Sequence, residues 1–158
     1  MPPSAPKDPC YVIPPGPAIP PELRRAYLET DYRVGRGGQS FVLRIGEASP
    51  RLARLLAERG LESAVGITAH NPRSRILGRE VNETAHQRLL QRLAAAPRRA
   101  AVEGVNEGRG GLWPPEKSLL VPGMSLLEGL ALAREFDQNA IVYAERDAVP
   151  RLAFCRRD

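Results

Sequence analysis

The chain has 158 residues, enough for one domain with a sizeable core, and its hydrophobic residues (42%) are dispersed in short blocks. No block approaches the ~20 consecutive apolar residues of a membrane span, so a soluble, cytoplasmic protein with no membrane partner is expected. A net charge of +5 suits nucleic acid, but Lys7 and Lys117 are the only lysines, and arginine with abundant alanine, glycine and proline equally reflects GC-rich codons.

Residues 1–21 carry nine prolines, including Pro14-Pro15 and Pro20-Pro21. Proline fixes φ and lacks an N–H, so this stretch is excluded from a central strand and reads as an extended arm, partly polyproline II. Residues 22–158 then form a single compact domain. A short helix starts at Pro21, with Leu23 and Tyr27 on one face. Residues 32–34 and 40–45, separated by the glycine-rich 35–38, predict a hairpin.

Ser49-Pro50 caps a helix that buries Leu52, Leu55 and Leu56 and stops at Gly60. An interior strand at 63–69 runs into a polar loop at 70–74. The best-patterned helix covers 79–96: Val81, Ala85, Leu89 and Leu93 step by four, and Leu90 and Ala94 widen the stripe. A strand at 99–105, a long loop at 106–117 and a short strand at 118–121 follow. Ser125 caps a helix carrying Leu126, Leu127, Leu130 and Leu132, and strands at 140–144 and 151–154 close the chain. The order β-β-α-β-α-β-β-α-β-β after a leading helix predicts an α/β (α+β) fold, a mixed sheet covered by about three helices.

Four polar positions interrupt this pattern. At residues 66–74 a strand end meets a loop, the place where open α/β sheets bind ligands and where loop N–H groups favour an anion. Thr68, Asn71 and Ser74 are the candidates there, and Asn71-Pro72 reads equally well as turn chemistry. Asn82 lies one position off the apolar stripe of its helix, pointing either back toward the loop or into solvent. Trp113 and Glu116 end the long loop: Trp113 either covers a pocket or packs the loop down, and Glu116 either transfers protons or pairs with Lys117 or an arginine. Gln138 and Asn139, between the last helix and the next strand, either bind a ligand or satisfy helix-end carbonyls.

Motifs with a fixed chemistry are missing: no phosphate-binding G-x-x-x-x-G-K-[ST], no G-x-G-x-x-G, no G-x-S-x-G and no H-E-x-x-H. Cys10, Cys155, His70 and His86 lack metal-ligand spacing, so neither a metal nor a cofactor is expected.

Several segments together resemble a bacterial family known as domain of unknown function family 3293. They are Tyr27, Thr30 and Tyr32; the run from Ile67 to Ser74; Asn82; Glu116-Lys117-Ser118; and Phe136, Gln138, Asn139 and Ala140. The likeness spans roughly residues 27–154, omits the proline arm and implies no particular reaction.

Two functions follow as expectations. The first is a binding or enzymatic domain for a small polar or anionic molecule, such as a nucleotide or phosphorylated metabolite. Thr68, Asn71, Ser74, Asn82 and Gln138 would hold the ligand, and Glu116 would be the acid–base group. The second is a non-enzymatic module in which Arg75, Arg79, Arg88, Arg92, Arg98 and Arg99 form one exposed stripe for nucleic acid or an acidic protein. Few aromatics (5%) are present to stack on bases.

Overall fold

The computed structural model describes residues 8–95, 100–111 and 113–155. Its elements, in chain order, are β1 (Tyr11–Ile13), α1 (Pro21–Leu28), β2 (Thr30–Val34), β3 (Phe41–Leu43), α2 (Pro50–Arg59) and β4 (Ala64–Thr68). They continue with α3 (Arg79–Ala94), β5 (Val102–Gly108), β6 (Glu116–Pro122), α4 (Leu126–Glu135), β7 (Ala140–Ala144) and β8 (Arg151–Phe154).

Local sequence chemistry sets several of these boundaries. The Ser49 hydroxyl accepts from the Leu52 N–H at the start of α2, and Gly60 ends that helix in the left-handed region (φ 64°). Ser125 and Glu128 cap α4 reciprocally. Leu52 and Leu56 are buried as expected. On α4, Leu130 and Leu132 are buried, whereas Leu127 is 79% exposed and leaves the expected stripe.

All eight strands form one sheet in the order β1-β8-β7-β4-β6-β5-β2-β3. Every neighbouring pair is antiparallel except β1 with β8, so the sheet is mixed only at that edge. Helices α3 and α4 each join parallel strands, but each of these two crossovers skips one place: β6 lies between β4 and β5, and β4 between β6 and β7. The unit from β4 to β7 is thus the split βαβ arrangement of ferredoxin-like folds, extended by β2–β3 on one side and β8–β1 on the other.

The proline arm departs from expectation. Residues 11–13 join the sheet as its edge strand, where flanking prolines interrupt no central ladder. Leu152 N–H donates to the Cys10 carbonyl and Arg151 Nε to that of Asp8. Residues 1–7 lie outside the description, and no disulfide joins Cys10 to Cys155.

Two cores result from strand alternation. Val65, Ile67, Leu119, Val121 and Ile141 face α3 and α4 on one side of the sheet. Ala64, Leu120, Val142, Leu152 and Phe154 face α1 and α2 on the other. Helix α4 lies close to its strands because Gly129 has no side chain; a Cβ there would stand 2.8 Å from Ile141 and 2.9 Å from Val65. At Gly104 a Cβ would overlap the Arg33 carbonyl oxygen of β2, so only glycine lets β5 and β2 pair as they do.

The apolar stripe of α3 is not the one its periodicity suggests. Asn82, His86, Leu89 and Leu93 face inward, while Val81 is 57% exposed. The N-terminal half of α3 backs onto the polar loop after β4, and amide hydrogen bonds replace apolar contacts there.

Candidate functional site

On the α1 side of the sheet, α1 stands off from the strands and leaves a cleft. Leu23, Ala26 and Tyr27 of α1 form one wall, and Gly66, Thr68, Ala140, Val142 and Leu152 form the sheet side. Tyr32, Asn106, Trp113 and Glu116, with Asn71, Ser74 and Gln138 of the polar loops, add to the lining. The floor exists because β4 carries Gly66 there; even a methyl group would come to 3.3 Å from the Val142 side chain. The cavity volume is about 60 Å³, the liquid volume of about two waters, with an open mouth.

The loop at the cleft is strained and tightly bonded. Asn71 (φ 48°), Arg73 (φ 55°) and Ser74 (φ 60°) are all left-handed, as is Asp137 (φ 54°) facing them. Such residues cost on the order of 1 kcal/mol each and gather where surrounding contacts fix them. Those contacts are present. Asn71 N–H donates to Asn82 Oδ1 (2.9 Å), Asn82 Nδ2 donates back to Asn71 Oδ1 (2.9 Å), and Leu77 N–H donates to the same oxygen (2.8 Å). Arg73 N–H donates to the Asp137 carbonyl at 2.7 Å. Gln138 Nε2 donates to the His70 carbonyl at 3.0 Å, and Thr68 Oγ1 accepts from His70 N–H at 3.0 Å.

Asn71 is turned by this network so that its Nδ2 donates to Glu116 Oε2 at 2.8 Å. Glu116 begins β6 opposite Asn106 of β5, so its backbone is anchored in the sheet rather than in a loop. Burial raises its carboxyl above the usual carboxylate range, and hydrogen bonds from the Asn71 and Trp113 side chains pull it only part of the way back. Lys117, one expected partner of Glu116, instead reaches Glu83 across the sheet at 2.7 Å. Ser74 Oγ shares a hydrogen bond with Tyr27 Oη (3.0 Å) and accepts from Asn139 Nδ2 (2.9 Å), tying the loop to α1. Tyr32 Oη donates to the Tyr27 carbonyl, and burial raises both phenols above their ordinary value.

Five of the six expected site residues, Thr68, Asn71, Ser74, Glu116 and Gln138, line the cleft. Asn82 does not reach it; it is 7% exposed, stands behind Asn71 and fixes it, so the solvent-facing alternative is ruled out. Gln138 satisfies the Phe136 carbonyl, one of its two alternatives, and also lines the cleft. Asn106, Gly66 and Gly108 also line the cleft and escaped the sequence reading. The strand expected at 99–105 in fact runs over Val102–Gly108, and both ends of the expected 106–117 loop, 106–108 and 116–117, are strand.

Two expectations about charge are not met by this geometry. In the 70–74 loop the amides of residues 70, 71, 73 and 74 all bond within the protein, so none of these four is left to greet an anion. The arginines do not form one stripe. Arg79 and Arg88 are nine residues apart on α3, about two and a half turns, which puts them on opposite sides. Arg88 lies over Phe136 and Arg92 pairs with Glu135, while Arg98 and Arg99 fall outside the described residues.

Behind Asn82, His86 is 1% exposed, its ring 6.1 Å from that of His70 and its Nε2 3.6 Å from Glu103 Oε1. Burial first, and the neighbouring His86 second, hold His70 below the usual imidazole range. Among the described residues no three His, Cys, Asp or Glu side chains gather as a metal site would require, and no helix is long and apolar enough to cross a membrane.

Residues 67–141 match the family model described as protein of unknown function (DUF3293). The resemblance read from the sequence holds. The DUF3293 segment is shorter than the 27–154 span of that likeness, yet it contains Thr68, Asn71, Ser74, Asn82, Glu116 and Gln138. Tyr27 and Tyr32, which complete the cleft, lie before it. No curated protein and no solved structure matches the chain.

Proposed function

We propose that this protein binds a small polar molecule in the cleft beneath α1, and that Glu116 gives or takes a proton there. The observation that carries this reading is the Glu116 carboxyl, largely withdrawn from water, held by Asn71 and Trp113, and bordering a cleft with an open mouth. A carboxyl whose pKa burial raises holds a proton more readily than a free one, which suits general acid–base work. Asn71 orients it, and the strained loop and Asn82 fix Asn71.

The wall favours a neutral or cationic ligand over a phosphorylated one. Among the described residues it carries one carboxylate and neither lysine nor arginine, and a phosphate without a cation or free amides has nothing to offset its desolvation. The arrangement supports proton transfer rather than nucleophilic attack: the Ser74 hydroxyl is engaged by Tyr27 and Asn139, and no base stands beside it among the described lining residues.

The test uses Trp113, the only tryptophan, as a reporter. A library of small polar molecules is titrated against its fluorescence in the wild type and in Ala26→Phe, which fills the cleft from α1. Ligands that perturb Trp113 in the wild type should bind Ala26→Phe roughly tenfold more weakly, since a pocket acts by enclosing its ligand. Equal binding to a folded Ala26→Phe would overturn the reading.

A further inference from the structure

We propose that the cleft selects an organic cation, a small amine or amidine whose N–H groups meet the Glu116 carboxylate and whose apolar part lies over Gly66, Val142 and Leu152. This rests on the reading of the cleft as a ligand site and adds the ligand's chemical class. Glu116 borders the cleft with neutral donors alone, Asn71 and Trp113, and with no cation among the described lining residues. The basic side chains around it are committed elsewhere. Arg109 donates to the Glu29 and Leu28 carbonyls at the end of α1 and stands 3.5 Å from Asp31. Arg73 lies 3.5 Å from Asp137, and Lys117 lies 2.7 Å from Glu83.

A largely buried carboxylate without a counter-ion repels an anion, gains one hydrogen bond from a neutral donor, and gains a hydrogen bond plus a Coulomb attraction from a cation. The same lining carries Tyr27, Tyr32 and Trp113, and aromatic rings attract ammonium and amidinium groups through their quadrupoles. The lining also holds the aliphatic Leu23, Ala140, Val142 and Leu152, so the cation's carbon body has a surface to cover. The cavity of about 60 Å³ encloses a small head group, and its open mouth leaves the rest of the molecule room to extend.

Three isosteric probes separate the possibilities: n-butylammonium, 1-butanol and butyrate, each titrated at neutral pH and equal ionic strength against the Trp113 indole N–H resonance. Butylammonium should shift it saturably and bind roughly tenfold more tightly than butanol, with butyrate weaker still, as expected for a charge-assisted contact. Glu116→Gln should remove that preference. Butanol binding as tightly as butylammonium, or a preference that survives Glu116→Gln, overturns the cation proposal and leaves the cleft reading standing. If none of the three moves the Trp113 resonance, both are overturned.

Discussion

Asn71 and Asn82 are joined by two hydrogen bonds that run in opposite directions, one into the Asn82 carbonyl oxygen from the Asn71 backbone and one back from the Asn82 amide to Asn71 Oδ1. Asn71 is 3% exposed and Asn82 7%. This pair converts a position on helix α3 into the orientation of a side chain at the cleft, because Asn71 Nδ2 is left with Glu116 as its acceptor.

Asn82→Ala should therefore destabilise the protein by about 1–3 kcal/mol, since it leaves a buried N–H without its acceptor. Urea denaturation measures the loss, and amide exchange at residues 71–77 should accelerate with it. A change within about 0.5 kcal/mol, the range of an ordinary surface substitution, would contradict the positioning role.

Gly104 and Gly66 should respond differently to the same substitution. A Cβ at Gly104 meets backbone, the Arg33 carbonyl, whereas one at Gly66 meets the Val142 side chain at 3.3 Å. Gly104→Ala is expected to cost more than about 2 kcal/mol by parting β2 from β5, and Gly66→Ala less than about 1 kcal/mol while shrinking the cleft. Chemical denaturation of the two variants, with ligand titration of Gly66→Ala, checks both halves.

These glycines also explain what the sequence hid. Helix α2 was legible because its Ser49 cap and Gly60 stop are local chemistry. Strand β5 was misplaced because Gly104, which lies against β2, and the cleft-lining Asn106 and Gly108 lack the apolar bulk that marks a strand. A cleft is space that side chains do not fill, so the residues that make it look like a loop. The polar candidates were legible as a set, since five of the six line one cleft. The role of Asn82 was not, because apolar periodicity placed Val81 inward and cannot register a helix face buried by amide hydrogen bonds.

Glu116 should leave a signature in stability as a function of pH. Its folded-state pKa is raised from 4.5, so the folded chain binds its proton more tightly than the unfolded chain does. The stabilisation this gives is fully present below 4.5 and is lost as pH rises through the raised value. Glu116→Gln does not titrate, so its stability relative to the wild type should improve from acid toward neutral pH. Urea midpoints of the two proteins across that range measure it, and a difference that stays flat or falls contradicts the raised carboxyl.

The most direct measurement is a pH titration of the Glu116 side-chain carboxyl by carbon NMR, followed in parallel at the Trp113 indole N–H. The account predicts a Glu116 midpoint above 4.5 and a Trp113 shift with the same midpoint that disappears in Glu116→Gln. A Glu116 midpoint at or below 4.5, or a Trp113 resonance indifferent to it, would contradict the claim that Glu116 is the proton-transfer group of this cleft.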